Sequence, residues 1–449
     1  MLRPSKDSRQ MQKLQKRLAA PALRWVPAAL VALIALVHLL DSYATDVCAK
    51  VQSLYVGEFF VRGDVPFETG LQKATLISTI GYSFMAIGPF YKALMDKVGR
   101  RPIFLINVAG MAAGMLLCFV SPNFYVFAAG QMCIMFFTMH DMQMIYVHEG
   151  APPRWRSTLY FLCKFLGVFG TLTIPLLRDR FVRPDGSGWR GVFLLPSLVG
   201  LAIFLSAIPL LRESDVFARS RLAALQSKSS APEKTKDKKS GIGSAFRYIF
   251  RQKQLKWLAV ALPVTCCSMY ALIFYYESFL STVYATKEVT AALYAQPFTM
   301  AGLYLISGFL ADSIGRKKTT VVFVFVTVAG FIGFLLLTRS GVSPVIPGLL
   351  LGCYIGGFWN ITDLNGMMFA ESSPTEIRGS VMGVQTILMG IGTAVSLILC
   401  MVLLSFMPLG AMMAAVGLPG VIAGGIVTLS KCKETKGTDL EKIAYEAPK

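Results

Sequence analysis

The string Gly-Phe-Leu-Ala-Asp-Ser-Ile-Gly-Arg-Lys at residues 308–317 decides the fold, because a related string stands in the first half of the chain. That string is Asp-Lys-Val-Gly-Arg-Arg at residues 96–101, and its Gly-Arg pair lies 216 residues earlier. Each string follows a long apolar segment. Glycine at such a point permits a tight turn between two helices. The recurrence indicates that one structural unit occurs twice.

A second motif, Glu-x-x-Pro-x-x-x-Arg, supports the duplication. It reads Glu-Gly-Ala-Pro-Pro-Arg-Trp-Arg at residues 149–156 and Glu-Ser-Ser-Pro-Thr-Glu-Ile-Arg at residues 371–378. The two copies are 222 residues apart, close to the offset of the Gly-Arg pairs. Both motifs therefore stand in the same order in each half, as they would in two parallel six-helix repeats.

The composition places both units in a membrane. Of the 449 residues, 54% are hydrophobic and only 15% are charged. Apolar runs of about 20 residues recur along the chain, and each is long enough to cross a hydrocarbon core of about 30 Å. Because lipid offers no partner for an unpaired backbone N–H or C=O group, these runs must be helices. The residue alternation that a transmembrane β-barrel needs is absent.

The expected fold class is an all-α membrane protein with twelve transmembrane helices in two pseudo-symmetric six-helix bundles, 25–211 and 256–430. The first six spans lie near 25–47, 72–92, 102–121, 124–148, 157–177 and 191–211, and the second six near 256–282, 291–311, 319–338, 344–370, 379–404 and 408–430. A polar linker, 212–255, is expected to carry a short amphipathic helix. Segments 1–24 and 431–449 are expected to be tails.

Lysine and arginine placement gives the orientation. Of 44 such residues, 34 fall on the side that holds both termini, nine on the opposite side, and Lys164 lies within a span. Because basic residues mark the cytoplasmic side, we expect both termini in the cytoplasm and a multi-pass protein of the plasma (cell inner) membrane. The placement also argues against nucleic acid as the partner behind the net charge of +19. A small-molecule substrate, the lipid bilayer and a monomeric state are expected instead.

The string at residues 308–317 resembles the loop signature of the major facilitator superfamily. The Glu-x-x-Pro-x-x-x-Arg strings are similar to those of its sugar-porter and organic-ion branches, which include metabolite:proton symporters. The resemblance covers essentially the whole chain and implies a secondary transporter with a central site between two bundles. One position departs from the pattern, because Lys92 stands where the first motif has its leading glycine. We expect this lysine to loosen helix packing at the first-half loop.

The repeated loops are expected to gate the predicted cytoplasmic face. The aspartate of each string can face the N-terminal end of a helix in the other half, where negative charge is favoured. The glutamate and the arginine of the two Glu-x-x-Pro-x-x-x-Arg strings can pair across this face when it closes. The candidate gating residues are Asp96, Gly99, Arg100, Glu149, Arg156, Gly308, Asp312, Gly315, Arg316, Glu371 and Arg378. Alternatively, these are solvated surface charges that contribute little energy.

Charged side chains inside the spans mark the candidate site, because a charge in lipid is costly and normally faces a cavity. The clear cases are Asp41 in span 1, Asp141 in span 4, Lys164 in span 5, Glu277 in span 7 and Asp363 in span 10. In the proteins that the chain resembles, spans 1, 4, 7 and 10 line the central cavity, with spans 2, 5, 8 and 11 beside them. The interiors of spans 3, 6, 9 and 12 hold no charge.

Span 1 holds the candidate for proton coupling. His38, Asp41 and Thr45 share one helical face because they are spaced i, i+3 and i+7. A carboxylate close to an imidazole within the bilayer suits reversible protonation, which favours Asp41. Two alternatives stay open: Asp41 is only a polar contact for the substrate, and His38 is structural.

Lys164 lies about 10 Å into span 5, at a depth similar to that of Asp141. It either forms a structural ion pair with Asp141, binds an anionic substrate, or releases Asp141 during a transport cycle. Asp141 and Asp363 each stand eight residues before a repeated glutamate, so we expect them to be counterparts at one depth.

Two further candidates lie in the second half. Glu277 stands near the outer end of span 7, where an interfacial position and a substrate contact are equally good interpretations. Trp359, Asn360 and Asp363 form a mixed aromatic and polar face of span 10, which is typical of a small-solute site.

The leading hypothesis is a secondary active transporter of a small polar or ionic metabolite that works by alternating access with proton symport. A sodium gradient is the alternative energy source, and no cofactor is expected because no Gly-x-x-x-x-Gly-Lys-Ser/Thr string occurs. A non-transporting receptor of the same fold and a drug–proton antiporter are the other hypotheses. An enzyme is disfavoured because His-x-x-x-His and Cys-x-x-Cys strings are absent. The lack of glutamine at 265–277 disfavours a sugar.

Overall fold

The computed structural model describes residues 26–83, 98–138, 156–211, 242–374 and 378–436, together with isolated positions at 12, 15, 87, 213 and 222. The helices of the first half are α1 (Val26–Val47), α2 (Gln52–Phe59), α3 (Phe67–Ser83), α4 (Arg100–Val120), α5 (Phe124–Thr138), α6 (Arg156–Phe181) and α7 (Gly191–Leu210). After α8 (Ile242–Arg251), those of the second half are α9 (Lys253–Cys266), α10 (Met269–Ile273), α11 (Tyr276–Leu280), α12 (Thr286–Ile314), α13 (Arg316–Thr338), α14 (Val345–Glu371), α15 (Arg378–Leu403) and α16 (Leu409–Lys431).

The order of these helices follows the predicted spans. Seven described helices, α4, α7 and α12 to α16, are long and apolar enough to cross a membrane on their own. The bent segment from α1 through α2 passes the same test as a pair. The remaining predicted spans correspond to α3, α5, α6 and the broken helix formed by α9, α10 and α11. The described residues contain helices, turns and bends but no β-strand.

The first span is followed by a bend that the sequence did not predict. α1 ends at Val47, and after Cys48 the chain continues as a 3-10 turn and α2 at an angle of 47° to α1. Lys50 and Gln52 follow this bend and are fully buried. The bend thus directs into the protein two polar side chains from the stretch between predicted spans 1 and 2.

Span 7 is broken, whereas the sequence predicts one helix over 256–282. At the first break, hydrogen bonds join the chain to other helices. The N–H of Tyr270 donates to the Ser396 hydroxyl at 3.1 Å, and the Ser268 hydroxyl donates to the Val416 carbonyl at 2.9 Å. Broken helices are tolerated at membrane depth where the protein supplies such partners. The apolar pattern of span 7 cannot show this break, because the partners belong to spans 11 and 12.

A short amphipathic helix occupies the end of the predicted linker, as expected. α8 buries Ala245, Tyr248 and Ile249 and exposes Phe246 and Phe250. The two exposed rings stack with their centroids 4.8 Å apart. One residue separates α8 from α9, so this helix lies where the second bundle begins.

Small residues bring helices of the same half into backbone contact. Gly170 of α6 faces the Leu39 carbonyl of α1, and Gly352 of α14 faces the Gln296 carbonyl of α12, with no room for a Cβ atom at either glycine. None of the described glycines with a close neighbour makes such a contact with the other half. Each half is therefore packed as a unit.

Candidate functional site

A cavity of about 720 Å³ lies between the two halves. Its walls come mainly from α1, α5 and α6 in the first half and from α10, α12, α14 and α15 in the second. At one end the wall includes Asp312, Arg316 and Glu371. We call the face of the molecule that carries these residues the motif face, and the opposite face the outer face. The cavity has the size of a small-molecule site.

One wall of the cavity is the polar face of α1. His38, Asp41 and Thr45 all line the cavity, as their spacing predicts. His38 and Asp41 are only 3% and 6% exposed. His38 packs against Gly167 of α6, where a Cβ atom would lie 2.6 Å from the imidazole ring. A larger residue at this glycine would displace the imidazole, so Gly167 helps to set its position.

The facing wall belongs to α14. Trp359, Thr362 and Asp363 line the cavity, and the side chain of Asp363 is half-buried. Asn360 does not line it, because its side chain is fully buried and its Nδ2 donates to the Gly356 carbonyl at 2.8 Å. Successive helical residues point about 100° apart, which turns Asn360 away from its two neighbours in the wall. The predicted substrate contact by Asn360 is therefore corrected.

Lys164 of α6 lines the same cavity with a half-buried side chain. Its candidate partner, Asp141, lies outside the described residues, so the choice between a structural pair and a substrate contact stays a prediction. Gln131 of α5 and Gln385 of α15 add amide groups to the wall. Within the described part of the chain, no cluster of His, Cys, Asp or Glu side chains could hold a metal ion.

The rest of the wall consists largely of thioether and aromatic groups. The methionines that line the cavity are Met135, Met269, Met300, Met367, Met382 and Met389, and the aromatic residues are Tyr270, Phe274, Tyr304 and Trp359. Thioether side chains are flexible and polarisable, so they adapt to the shape of a ligand. The cavity thus combines a few charged groups with an adaptable apolar surface.

Glu277 lies outside the cavity wall, in a buried ion pair between the halves. Its Oε1 is 3.0 Å from Nη1 of Arg178, and the two side chains are 0% and 1% exposed. The backbone N–H and the hydroxyl of Ser53 each donate to its carboxylate at 2.7 Å. Glu277 is therefore neither at the lipid interface nor in contact with the cavity, which corrects both interpretations of this residue.

Hydrogen bonds between described residues of the two halves gather at the outer face. Besides the contacts of Glu277, the pairs are Gln52 with Ser278, Gln72 with Ser405, Thr75 with Tyr275, Arg178 with Thr290, and Thr286 with the Pro184 carbonyl. Most of these side chains are fully buried. Together with the Arg178–Glu277 ion pair, they hold the outer face closed.

Three charges at the outer end of the cavity were not predicted as site residues. Asp46 lines the cavity, and its Oδ2 accepts a hydrogen bond from the Thr171 hydroxyl at 3.0 Å. Lys50 is fully buried, and its ammonium group donates to the Thr171 carbonyl at 3.3 Å. Arg178, which the sequence analysis placed in an outer loop, is also buried. The four-residue spacing of Asp46 and Lys50 is the sequence signal that could have found the first two.

On the motif face, the described ion pairs stay within the second half. Arg316 lies 3.0 Å from Asp312 and 3.3 Å from Glu371. Asp312 therefore pairs with its own half in this structure, rather than with a helix end of the other half as predicted. Its side chain is 73% exposed although it lines the cavity, so the cavity meets solvent at this face.

The other predicted gating residues are placed only in part. Asp96 and Glu149 lie outside the described residues. Arg156 and Arg378 begin α6 and α15, which are equivalent helices of the two halves, but their side chains are not described. Gly308 lines the cavity near the motif face. Pairing of charges across this face stays a prediction.

Two glutamates cap equivalent helices at the motif face. Glu213 follows α7 and accepts from the backbone N–H of Arg100 at 2.7 Å. Glu434 follows α16 and accepts from the backbone N–H of Arg316 at 2.8 Å. The preceding glycines have φ of 114° and 100°, which favours glycine, as the predicted tight turns require. The sequence signal for both caps is an acidic residue shortly after the last span of each half.

The fold and the cavity define a class of protein, an α-helical membrane protein whose two halves enclose a central cavity with a few charged groups in an apolar wall. A model of the major facilitator superfamily matches residues 65–397. The chain belongs to this superfamily.

Three similar proteins have names that describe transport. The glucose transporter GlcP of Staphylococcus epidermidis is 23% identical, over 86% of this chain and 91% of its own. The sialic acid transporter NanX of Escherichia coli is 24% identical, over 64% and 73%. A cis,cis-muconate transport protein of Acinetobacter baylyi is 25% identical, over 71% and 75%. The chain is accordingly a membrane transporter of small molecules and not an enzyme.

Solved structures show the same fold. A D-xylose–proton symporter superposes with a TM-score of 0.68 at 16% identity, covering 91% of this chain and 98% of its own. An inward-open structure of the xylose transporter XylE from E. coli gives a TM-score of 0.64 at 16% identity, covering 92% and 98%. The fold is therefore that of twelve transmembrane helices in two six-helix bundles, as the sequence predicts.

Proposed function

We propose that the protein is a secondary active transporter that moves a small polar or ionic metabolite by alternating access, coupled to proton symport. The observation that carries the proposal is the cavity between the halves, which meets solvent at the motif face while buried contacts close the outer face. Two bundles that rock about a central site expose it to each side in turn. We assign this arrangement to the inward-facing state.

The orientation follows from the excess of basic residues on the motif side. We propose that this face and both termini are cytoplasmic, in the plasma or cell inner membrane. The cavity then opens to the cytoplasm, and the Arg178–Glu277 pair faces the exterior.

Asp41 is the proposed proton carrier. Its carboxyl group lines the cavity on one face of α1 with His38, and both side chains are almost fully buried. A carboxylate held inside the protein but open to the cavity can take a proton from one side and release it to the other. Lys164 and Asp363 are the proposed charged contacts for the substrate.

The substrate class follows from the mixture of groups in the wall. Charged groups and amides can bind carboxyl, amino or hydroxyl groups, while the methionines and aromatic rings pack against a carbon skeleton. The named substrates of the relatives, glucose, sialic acid and cis,cis-muconate, are small metabolites that such a wall could hold.

Asp41→Asn in proteoliposomes tests the coupling. The substrate is first chosen from sugars, amino acids, organic acids and quaternary amines by the rise in thermal midpoint that a ligand of the folded state produces. Asp41→Asn is expected to abolish uphill uptake driven by a pH gradient and to leave counterflow intact. Asp185→Asn, in an exposed outer loop, is the matched control. Uphill uptake by Asp41→Asn at the control rate would remove the proton role, and lack of counterflow for every class would favour the receptor hypothesis.

A further inference from the structure

Three buried charges and one half-buried charge connect the outer end of the cavity to the contact between the halves. They are Asp46, Lys50, Arg178 and Glu277, which we call the outer charge cluster. Two are negative and two are positive, so the cluster is neutral as it stands. Only Asp46 among the four lines the cavity, and only Glu277 belongs to the second half.

The cluster is continuous. Asp46 and Lys50 bind opposite groups of the same residue, because the Thr171 hydroxyl donates to Asp46 and the Thr171 carbonyl accepts from Lys50. The carbonyl of Lys50 in turn accepts a hydrogen bond from Arg178, whose guanidinium also binds Glu277. Each member therefore touches the next through a direct contact or through Thr171.

The position of Lys50 makes the charge balance important. Its ammonium group is fully buried and has the Thr171 carbonyl as its hydrogen-bond partner. A buried ammonium is costly unless a negative charge lies nearby, and Asp46 supplies that charge. If a bound cation neutralises Asp46, the two positive charges of Lys50 and Arg178 are balanced only by the single negative charge of Glu277. Water could then compensate the excess positive charge, but it reaches the cluster from outside only if the outer face opens.

We propose that Asp46 senses positive charge at the outer end of the cavity, and that neutralising it opens the outer face by unbalancing the outer charge cluster. The inference rests on the proposed alternating access. A proton or the cationic group of a ligand that reaches Asp46 favours the outward-facing state. Release of that cation toward the motif face restores the neutral cluster and stabilises the closed outer face. Asp46 is thus a coupling residue in addition to Asp41, five residues further along α1.

Hydrogen–deuterium exchange of the intact protein in lipid nanodiscs tests this without a known substrate. Asp46→Asn is expected to raise deuterium uptake in the outer segments 49–63 and 275–290 and to lower it around 308–318. Asp46→Glu, which keeps the charge, is expected to resemble the wild type, and Asp185→Asn is the control for an outer carboxylate outside the cluster. If deuterium uptake in these segments were the same for Asp46→Asn and Asp185→Asn, the proposal would be overturned.

The double variant Asp46→Asn/Lys50→Met supplies the decisive comparison. It removes one charge of each sign, so the cluster is neutral again and the outer face is expected to close as in the wild type. Additive or greater opening would contradict the charge-balance argument. This variant keeps the test valid even where Asp46→Asn alone does not fold, because the proposal requires the double variant to fold with a closed outer face. Failure of transport in every substrate class would reject the proposed function, whereas the exchange result would still decide the role of Asp46.

Discussion

At the residue scale, burial distinguishes two ion pairs on the outer face. Arg178 and Glu277 are 3.0 Å apart and almost completely buried. Arg190 and Glu58 are closer, at 2.6 Å, but their side chains are 25% and 24% exposed. Removing one partner of a buried pair leaves an uncompensated charge, which costs about 3–5 kcal/mol. Water partly screens the half-buried Arg190–Glu58 pair, so its contribution should lie nearer that of a surface pair, about 0–1 kcal/mol. The Arg178–Glu277 pair, although its two atoms are further apart, should therefore contribute more to the stability of the fold.

Glu277→Gln is accordingly expected to destabilise the protein by about 3–5 kcal/mol, with Glu58→Gln costing much less. Thermal unfolding in detergent measures both variants as shifts of the midpoint. Arg178→Met/Glu277→Leu, which removes both buried charges, should recover much of the loss. Equal midpoints for the two single variants would show that burial does not determine the strength of these pairs.

The sequence predicted part of the cavity wall for a clear physical reason. His38, Asp41, Lys164 and Asp363 all line the cavity, because polar and charged groups inside a span avoid lipid. Asn360 was assigned to the wall together with its neighbour Trp359, although adjacent residues of a helix point in different directions. Lys50 was missed because it follows a bend after Val47 of which the apolar pattern carries no sign, and Asp46 because it lies next to the end of predicted span 1. The buried ion pair of Glu277 was not predicted because its partner, Arg178, lies 99 residues away in the sequence.

At the element scale, carboxylates fix the start of two equivalent helices. Burial alone would raise the pKa of Glu434, but the backbone N–H groups of Lys436, Arg316, Thr435 and Lys317 outweigh it and hold the pKa below its ordinary value of 4.5. A carboxyl group whose pKa is lower in the folded state stabilises the fold above that ordinary value. The contribution is lost as the pH falls through the lowered pKa.

Glu434→Gln is expected to cost at most about 1 kcal/mol at pH 7, the usual effect of a helix cap. The difference from the wild type should shrink as the pH falls from 4.5 through the lowered pKa of the folded state, because the wild-type carboxyl group becomes protonated first in the unfolded state and then in the folded state. The measurement compares the thermal midpoints of the wild type and of Glu434→Gln at pH 7 and at a pH well below 4.5. At pH 7, Glu213→Gln should have a similar cost at α4, since Glu213 occupies the matching position. A difference that persists unchanged at low pH would argue against the ionised cap.

The broken span 7 depends on a partner from another helix. Ser396→Ala removes the acceptor of the buried Tyr270 N–H, which should cost about 1–3 kcal/mol. Ser430→Ala is the matched control, because that exposed hydroxyl bonds only to the Ile426 carbonyl of its own helix. Thermal unfolding should separate the two variants. If Ser396→Ala were as mild as the control, the break would be stabilised by the chain itself.

The limits of prediction differ between elements for the same reason. An uninterrupted apolar run fixes the existence of a span, since the backbone must be satisfied within the helix in lipid. The run does not reveal a break whose hydrogen-bond partners belong to other spans, as for Ser268 and Tyr270. Helix caps such as Glu434 likewise depend on two elements that are distant in sequence. Local patterns therefore predict the helices, while their interruptions and ends depend on tertiary contacts.

At the scale of the whole molecule, the contacts within a half differ in kind from those between the halves. Within a half, glycines place one helix backbone directly against another, as at Gly352 and the Gln296 carbonyl. Between the halves, the described hydrogen bonds at the outer face all involve at least one side chain, as between Ser278 and Gln52. Side-chain contacts can separate and reform, whereas a close backbone contact fixes the helix spacing. This difference is what rocking of two rigid bundles requires.

Substitutions of these two kinds of contact should therefore have different effects on stability and on which face is open. Gly352→Ala places a Cβ atom against the Gln296 carbonyl, and the overpacking should cost about 1–3 kcal/mol without changing which face is open. Ser278→Ala removes a buried contact between the halves, so it should raise deuterium uptake at the outer face. Water that enters the opened face can replace the hydroxyl at Gln52, so the midpoint loss should be smaller than for Gly352→Ala. Opening of the outer face by Gly352→Ala, or a midpoint loss as large for Ser278→Ala, would mean that the halves deform instead of moving as units. The two measurements on both variants thus separate the packing of a bundle from the equilibrium between bundles.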